Sequence, residues 1–128
     1  MHQQDQPTLA EIHWEGDSRE VLASFPEEMR GSLGFALYEL QLGRTPSAPT
    51  RRMGSIGAGV FELKEGDAKT WYRLIYLSRI DDVIYVLHCF EKQSRKTDRR
   101  DLKIARERMS RVRQRIQEQR KHEKRRGK

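Results

Sequence analysis

The sequence predicts an α+β domain with an N-terminal strand and helical hairpin, a mostly antiparallel sheet and a long basic C-terminal helix. Three observations carry this. Apolar residues recur at helical spacing in two stretches, one early and one late in the chain. Between them lie three strand-like runs, residues 60–64, 71–78 and 83–90, joined by short turns that favour an antiparallel meander. The charge is also divided: residues 1–98 carry a net −3 and residues 99–128 a net +10.

Each element follows from its residues. Residues 11–15 alternate polar and apolar around Ile12 and Trp14, a short strand closed by Gly16. Asp17 and Glu20 form a capping-box pattern for a short helix that Pro26 ends. A second helix is expected to begin with Pro26 in its first position, favoured there by Glu27 and Glu28. Met29, Leu33, Ala36, Leu37 and Leu40 form its buried stripe, and Gly43 is its stop. Residues 45–59, rich in Pro, Ser and Gly, read as a loop. Turns are expected around Gly66 and Asp67 and at Asp81 and Asp82. Asp98 is the expected N-cap of the last helix. The apolar stripe of that helix (Leu102, Ala105, Met109, Val112 and Ile116) ends twelve residues before the C-terminus. The expected division is a disordered N-terminus at 1–10, a folded domain at 11–116 and a basic tail at 117–128.

Composition excludes several classes. The chain has 128 residues, enough for one core and too few for two. No apolar run approaches the ~18 residues of a membrane helix. The first ten residues hold no hydrophobic signal core. Cys89 is the one cysteine, so no intrachain disulfide forms, and the histidines are scattered without a zinc framework. These features lead to the expectation of a cytoplasmic protein without membrane, metal or cofactor. The basic C-terminal arm suits a polyanionic partner, or else it is a solvated helix face.

Strand parity gathers charge. Phe61, Leu63, Tyr72, Leu74 and Tyr76 share one face, which the helices are expected to cover. Glu62, Lys64 and Arg73 then meet on the opposite, partly open face. They form either a cross-strand ion pair or an anion pocket in which Arg73 and Lys64 hold a phosphate. His88 reads either as a packed strand histidine or as a general acid or base. Trp71 is either core or a platform for an RNA base. The glycines at 54–59 are followed by no Gly-Lys-Ser/Thr, so a nucleotide loop is not indicated.

Three ordered segments carry a resemblance: GVFELK at 59–64, WYRLIY at 71–76 and VLHCFEKQSRKT at 86–97, preceded by FPEE at 25–28 and ALYELQLG at 36–43. Together they resemble the RelE/ParE superfamily of toxins from type II toxin–antitoxin systems, in its phage-related HigB-like branch. The likeness spans roughly residues 11–112. One departure is Gln93, which follows Lys92 where that branch has a second lysine. The resemblance implies a metal-independent endoribonuclease that cuts mRNA, commonly on the ribosome. It also implies a small helix-turn-helix antitoxin as partner, through which operator DNA would be contacted indirectly. The ParE-like alternative is inhibition of gyrase, and a third reading is a basic nucleic-acid-binding module without catalysis.

Metal-free RNA cleavage requires proton removal from the 2′-hydroxyl, charge stabilisation on the phosphorane and protonation of the leaving oxygen. Arg73 is expected as the phosphate clamp, because its fork matches phosphate oxygens and keeps its charge. Lys64 and Lys92 are expected as charge stabilisers or proton-transfer groups. Arg95 and Lys96 are expected to grip the RNA backbone. Glu62 is expected either to orient Arg73 or to serve as an acid or base.

Overall fold

A computed structural model describes residues 9–93 and 97–127. The elements run β1 (Glu11–Trp14), α1 (Ser18–Ala23), α2 (Glu27–Gln41), β2 (Thr50–Arg52), β3 (Val60–Gly66), β4 (Trp71–Ile80), β5 (Val83–Lys92) and α3 (Arg99–Arg126). The strands form one sheet in the order β1-β5-β4-β3-β2. Only the β1–β5 pairing is parallel, and the other three are antiparallel. This is the α+β arrangement expected.

The helices divide between the two faces. Leu22, Phe25, Met29, Leu33 and Leu37 of the hairpin region pack on Leu63, Tyr72, Leu74, Tyr76, Ile84 and Val86. The whole α2 stripe read from the sequence lies in this cluster. On the other face, Ala105, Met109 and Val112 of α3 pack on Val60, Ile75, Leu77, Tyr85 and Leu87, with Leu102 and Ile116 at the margins. The helix continues to Arg126, about 42 Å in all at 1.5 Å per residue.

Several local expectations are revised. Residues 50–52, assigned to a loop, form β2: three exposed residues that pair with Phe61, Glu62 and Leu63. Such a strand has no apolar alternation to reveal it. Pro26 is the N-cap of α2 and not its first residue. Asp17 does occupy an N-cap position, but its carboxylate makes no capping bond. It accepts a hydrogen bond from Arg108 of α3 instead, at 2.9 Å. The turn at Asp81 and Asp82 is formed by two residues at φ 49° and 61°. That is the paired left-handed geometry that matches the twist of a two-residue hairpin. The expected disordered stretch 1–10 lies outside the described residues up to residue 8. Ala10 is buried, and its carbonyl accepts from the Gln41 side chain at 2.7 Å.

A bulge in β5 bears directly on the site. Ile75 pairs with His88 and Tyr76 with Val86, so Leu87 has no cross-strand partner. Leu87 and His88 consequently both point toward α3, while Cys89 turns to the α1/α2 side.

Candidate functional site

The α3 face of the sheet is apolar at one end and cationic at the other. Register places Arg51 opposite Glu62, Lys64 opposite Arg73, and Trp71 opposite Lys92. All six share the α3 face. The first turn of α3 begins at Arg99, so the helix covers the apolar end and leaves the cationic end to the short segment before it. The parity argument therefore brings Glu62, Lys64 and Arg73 together correctly, but the face is less open than expected. Glu62 and Arg73 are 1% and 0% exposed, while Lys64, Trp71 and Lys92 are half-buried.

Arg73 lies in a polar cluster beneath the surface. Its Nη1 donates to Thr97 Oγ1 at 2.8 Å and lies 3.5 Å from Glu62 Oε2. The Thr97 hydroxyl in turn donates to Glu62 Oε2 at 3.2 Å. Arg51 reaches the same group from β2, with Nη2 at 3.4 Å from both Glu62 Oε1 and Thr97 Oγ1. One buried carboxylate thus serves two guanidinium groups. Arg51 and Thr97 escaped the sequence reading. Arg51 sits in no recognisable pattern and Thr97 only closes the 86–97 segment; the β2–β3 pairing and the return of the chain into α3 bring them to Glu62.

The lysines are engaged differently. The Lys64 ammonium sits 4.8 Å from the centre of the Trp71 ring, a cation–π contact. That contact occupies one face of the indole. Lys92 is ion-paired with Asp98, the residue that precedes α3. Arg95 and Lys96, expected to grip RNA, lie outside the described residues.

His88 is held on both ring nitrogens. Nε2 is 2.8 Å from Asp101 Oδ1, and Nδ1 faces Arg108 Nη1 at 3.5 Å. Asp101 can only accept and Arg108 can only donate, so the pair selects the neutral tautomer with its proton on Nε2. Burial pushes the His88 pKa below its usual value, against the opposing pull of Asp101. Its ring also stacks on Phe90 at 5.0 Å. Arg108 further donates to the Leu87 carbonyl at 2.9 Å and, through its bond to Asp17, ties α3 to the start of α1. A Cβ on Gly16 would fall 2.4 Å from this guanidinium, so glycine there admits it. This arrangement favours the packed-histidine reading.

Two hollows flank the segment leading into α3. The larger, about 680 Å³, runs from Lys92 and Asp98 past Arg100 and Asp101 to His88 and Arg108. The smaller, about 310 Å³, lies beside Arg51, Arg52, Ser55, Thr97 and Leu102. Among the described residues, no group of three His, Cys, Asp or Glu side chains could hold a metal ion. No described helix is long and apolar enough to cross a membrane. Burial raises the Cys89 thiol pKa and leaves it protonated.

A chemistry follows from these positions. Half-buried ammonium groups and a guanidinium cluster can stabilise negative charge developing on a phosphate that approaches from the open end. The buried Glu62 is neutralised by Arg51 and Arg73 together, so the face retains net positive charge.

A search of curated proteins finds no match. Among solved structures, the toxin–antitoxin complex RelBE2 from Mycobacterium tuberculosis is similar at a TM-score of 0.45 and 19% identity. The match covers 71% of this chain and 100% of that one. The family model described as phage-derived protein Gp49-like (DUF891) matches residues 20–110, from α1 into the middle of α3. The chain therefore belongs to the Gp49-like family of phage-derived proteins.

Proposed function

We propose that this chain is the toxin of a type II toxin–antitoxin system and that it cleaves mRNA on the ribosome without a metal. The observation that carries the reading is the cationic end of the α3 face, where four strands bring Lys64, Arg73, Lys92 and Arg51 to one face and Arg51 and Arg73 share one buried carboxylate. Membership of the Gp49-like family and the ordered RelE/ParE-like segments support it.

The 2′-hydroxyl of a bound nucleotide loses its proton and attacks the adjacent phosphate. The bond to the 5′-oxygen of the next nucleotide breaks and that oxygen takes up a proton, leaving a 2′,3′-cyclic phosphate. The half-buried Lys64 and Lys92 stabilise the phosphorane. Arg73 adds fixed positive charge from beneath, where water does not screen it. The exposed, basic second half of α3 adds longer-range attraction to ribosomal RNA. The partner that silences the toxin is a small helix-turn-helix antitoxin, which carries the operator-DNA contact.

The test is induction of the chain alone in a bacterial host. Growth should stop, and primer extension should show new 5′ ends in cellular mRNA. Lys64→Ala and Lys92→Ala should suppress both effects while remaining folded, because neither side chain is wholly buried. Intact transcripts with an induced DNA-damage response would overturn this reading and favour gyrase as target.

A further inference from the structure

We propose that Arg51, and not Arg73, is the guanidinium that contacts the RNA phosphate, with Arg73 its buried anchor. The inference rests on the RNA-phosphate reading above and assigns the contact within it. Arg73 is 0% exposed, and Glu62 and Thr97 already occupy the side of it that faces the cluster. At that burial a phosphate oxygen reaches Arg73 only by displacing groups packed over it, and its Nη1 is already held by Glu62 and Thr97.

Arg51 stands at the other end of the same cluster. It meets Glu62 through the second carboxylate oxygen, Oε1, while Arg73 and Thr97 meet Oε2. Its side chain is nevertheless 57% exposed, against 1% for Glu62. Both of its contacts are long, 3.4 Å, and both use Nη2, which leaves the rest of the guanidinium fork for an incoming anion. It lines the hollow of about 310 Å³ with Arg52 and Thr97, large enough to admit a phosphate group. The charges agree. Arg51 and Arg73 share the single Glu62 carboxylate, so the cluster keeps a net positive charge, and Arg51 is the member that presents it to solvent. β2 is the edge strand, so nothing beyond it in the sheet blocks approach.

The experiment measures binding of a 2′-O-methyl RNA oligonucleotide, which cannot be cleaved, across a series of salt concentrations. Cleavage of the matching unmodified RNA loaded on ribosomes and the melting temperature are measured in parallel. Arg51→Ala should melt with the parent and bind more weakly. Its slope of log affinity against log salt should be smaller by about 0.7, the value of one lost phosphate contact on a single strand. Cleavage should fall at least tenfold, with partial recovery in Arg51→Lys. Arg73→Lys should melt lower and keep the parent slope. A parent slope in Arg51→Ala, or a slope change confined to Arg73→Lys, would overturn the assignment. If the parent binds the oligonucleotide but cuts no RNA, the nuclease reading fails, while the slopes still decide the role of Arg51. If the parent binds no RNA, both readings fall.

Discussion

The face of the sheet under α1 and α2 is apolar throughout its buried area, from Tyr76 through Leu74 to Tyr72, whereas the face under α3 changes character at Arg73. Both faces are built from the same strands by the same alternation. The hairpin face is covered along its length and serves stability. The α3 face is covered only where α3 reaches, and its far end gathers Arg51, Glu62, Lys64, Arg73 and Lys92. At the junction the protein buries an ion pair where leucine and methionine would pack. A buried pair of this kind is weak grounds for stability and good grounds for a site, because a well-packed apolar replacement is often at least as stable.

The largest expected effect comes from breaking that junction on one side only. Glu62→Ala should cost about 3–5 kcal/mol in urea unfolding, because it leaves Arg73 charged and buried without its carboxylate. The double change Glu62→Leu with Arg73→Met should recover most of that loss and abolish RNA cleavage. A cost below about 1 kcal/mol for the single change would mean that water reaches the cluster.

On the hairpin face, Leu74→Ala should cost about 2–5 kcal/mol through a lost core side chain and the cavity it leaves. Salt-dependent RNA affinity per folded molecule should not change. A variant that lost affinity while still folded would show that the two faces are coupled.

A smaller effect should appear with pH. His88 has a lowered pKa because it is buried, so the native state keeps it neutral while the unfolded chain takes up a proton below about 6.5. Its contribution is fully present above that pH and drains away as pH falls toward the native-state pKa. Urea unfolding at pH 7.5 and 5.5 should show the loss, and His88→Gln should flatten it. The Asp17 carboxyl, lowered chiefly by its hydrogen bond from Arg108, loses its contribution only below pH 3.8, outside that window.

The smallest effect on stability is expected from removing residues 117–128. Every described residue there is exposed, and its ion pair, Arg120 to Asp81 at 3.4 Å, lies in solvent. The melting temperature should hardly move, while RNA affinity should drop most at low salt. A large fall in melting temperature would show that α3 draws stability from beyond Ile116.

What could be read in advance was whatever short-range geometry repeats. The 3.6-residue stripes of α2 and α3 and the two-residue alternation of β3 and β4 follow from backbone geometry, so Leu33, Met109, Leu63 and Leu74 were legible as core. So was the shared face of Glu62, Lys64 and Arg73, the main part of the candidate site. Local pattern failed where a residue's role depends on a distant partner. Residues 50–52 become a strand only because β3 lies beside them, so from the sequence alone Arg51 reads as loop. Asp17 matches a capping box, yet Arg108 of α3 competes for its carboxylate and wins with full charge.

By itself the sequence determined the fold class, the order of the elements other than β2 and which side chains share a face, because these depend on spacing and turn chemistry along the chain. The tertiary structure alone decided how open that face is. The start of α3 and the placement of Thr97 bury Arg73 and Glu62 completely while leaving Arg51 and Lys64 within reach of solvent. The β5 bulge alone decided that His88 meets Asp101 and Arg108 and not the hairpin core. Burial and charge pairing are properties of groups brought together from far apart in the chain, and no local periodicity encodes them.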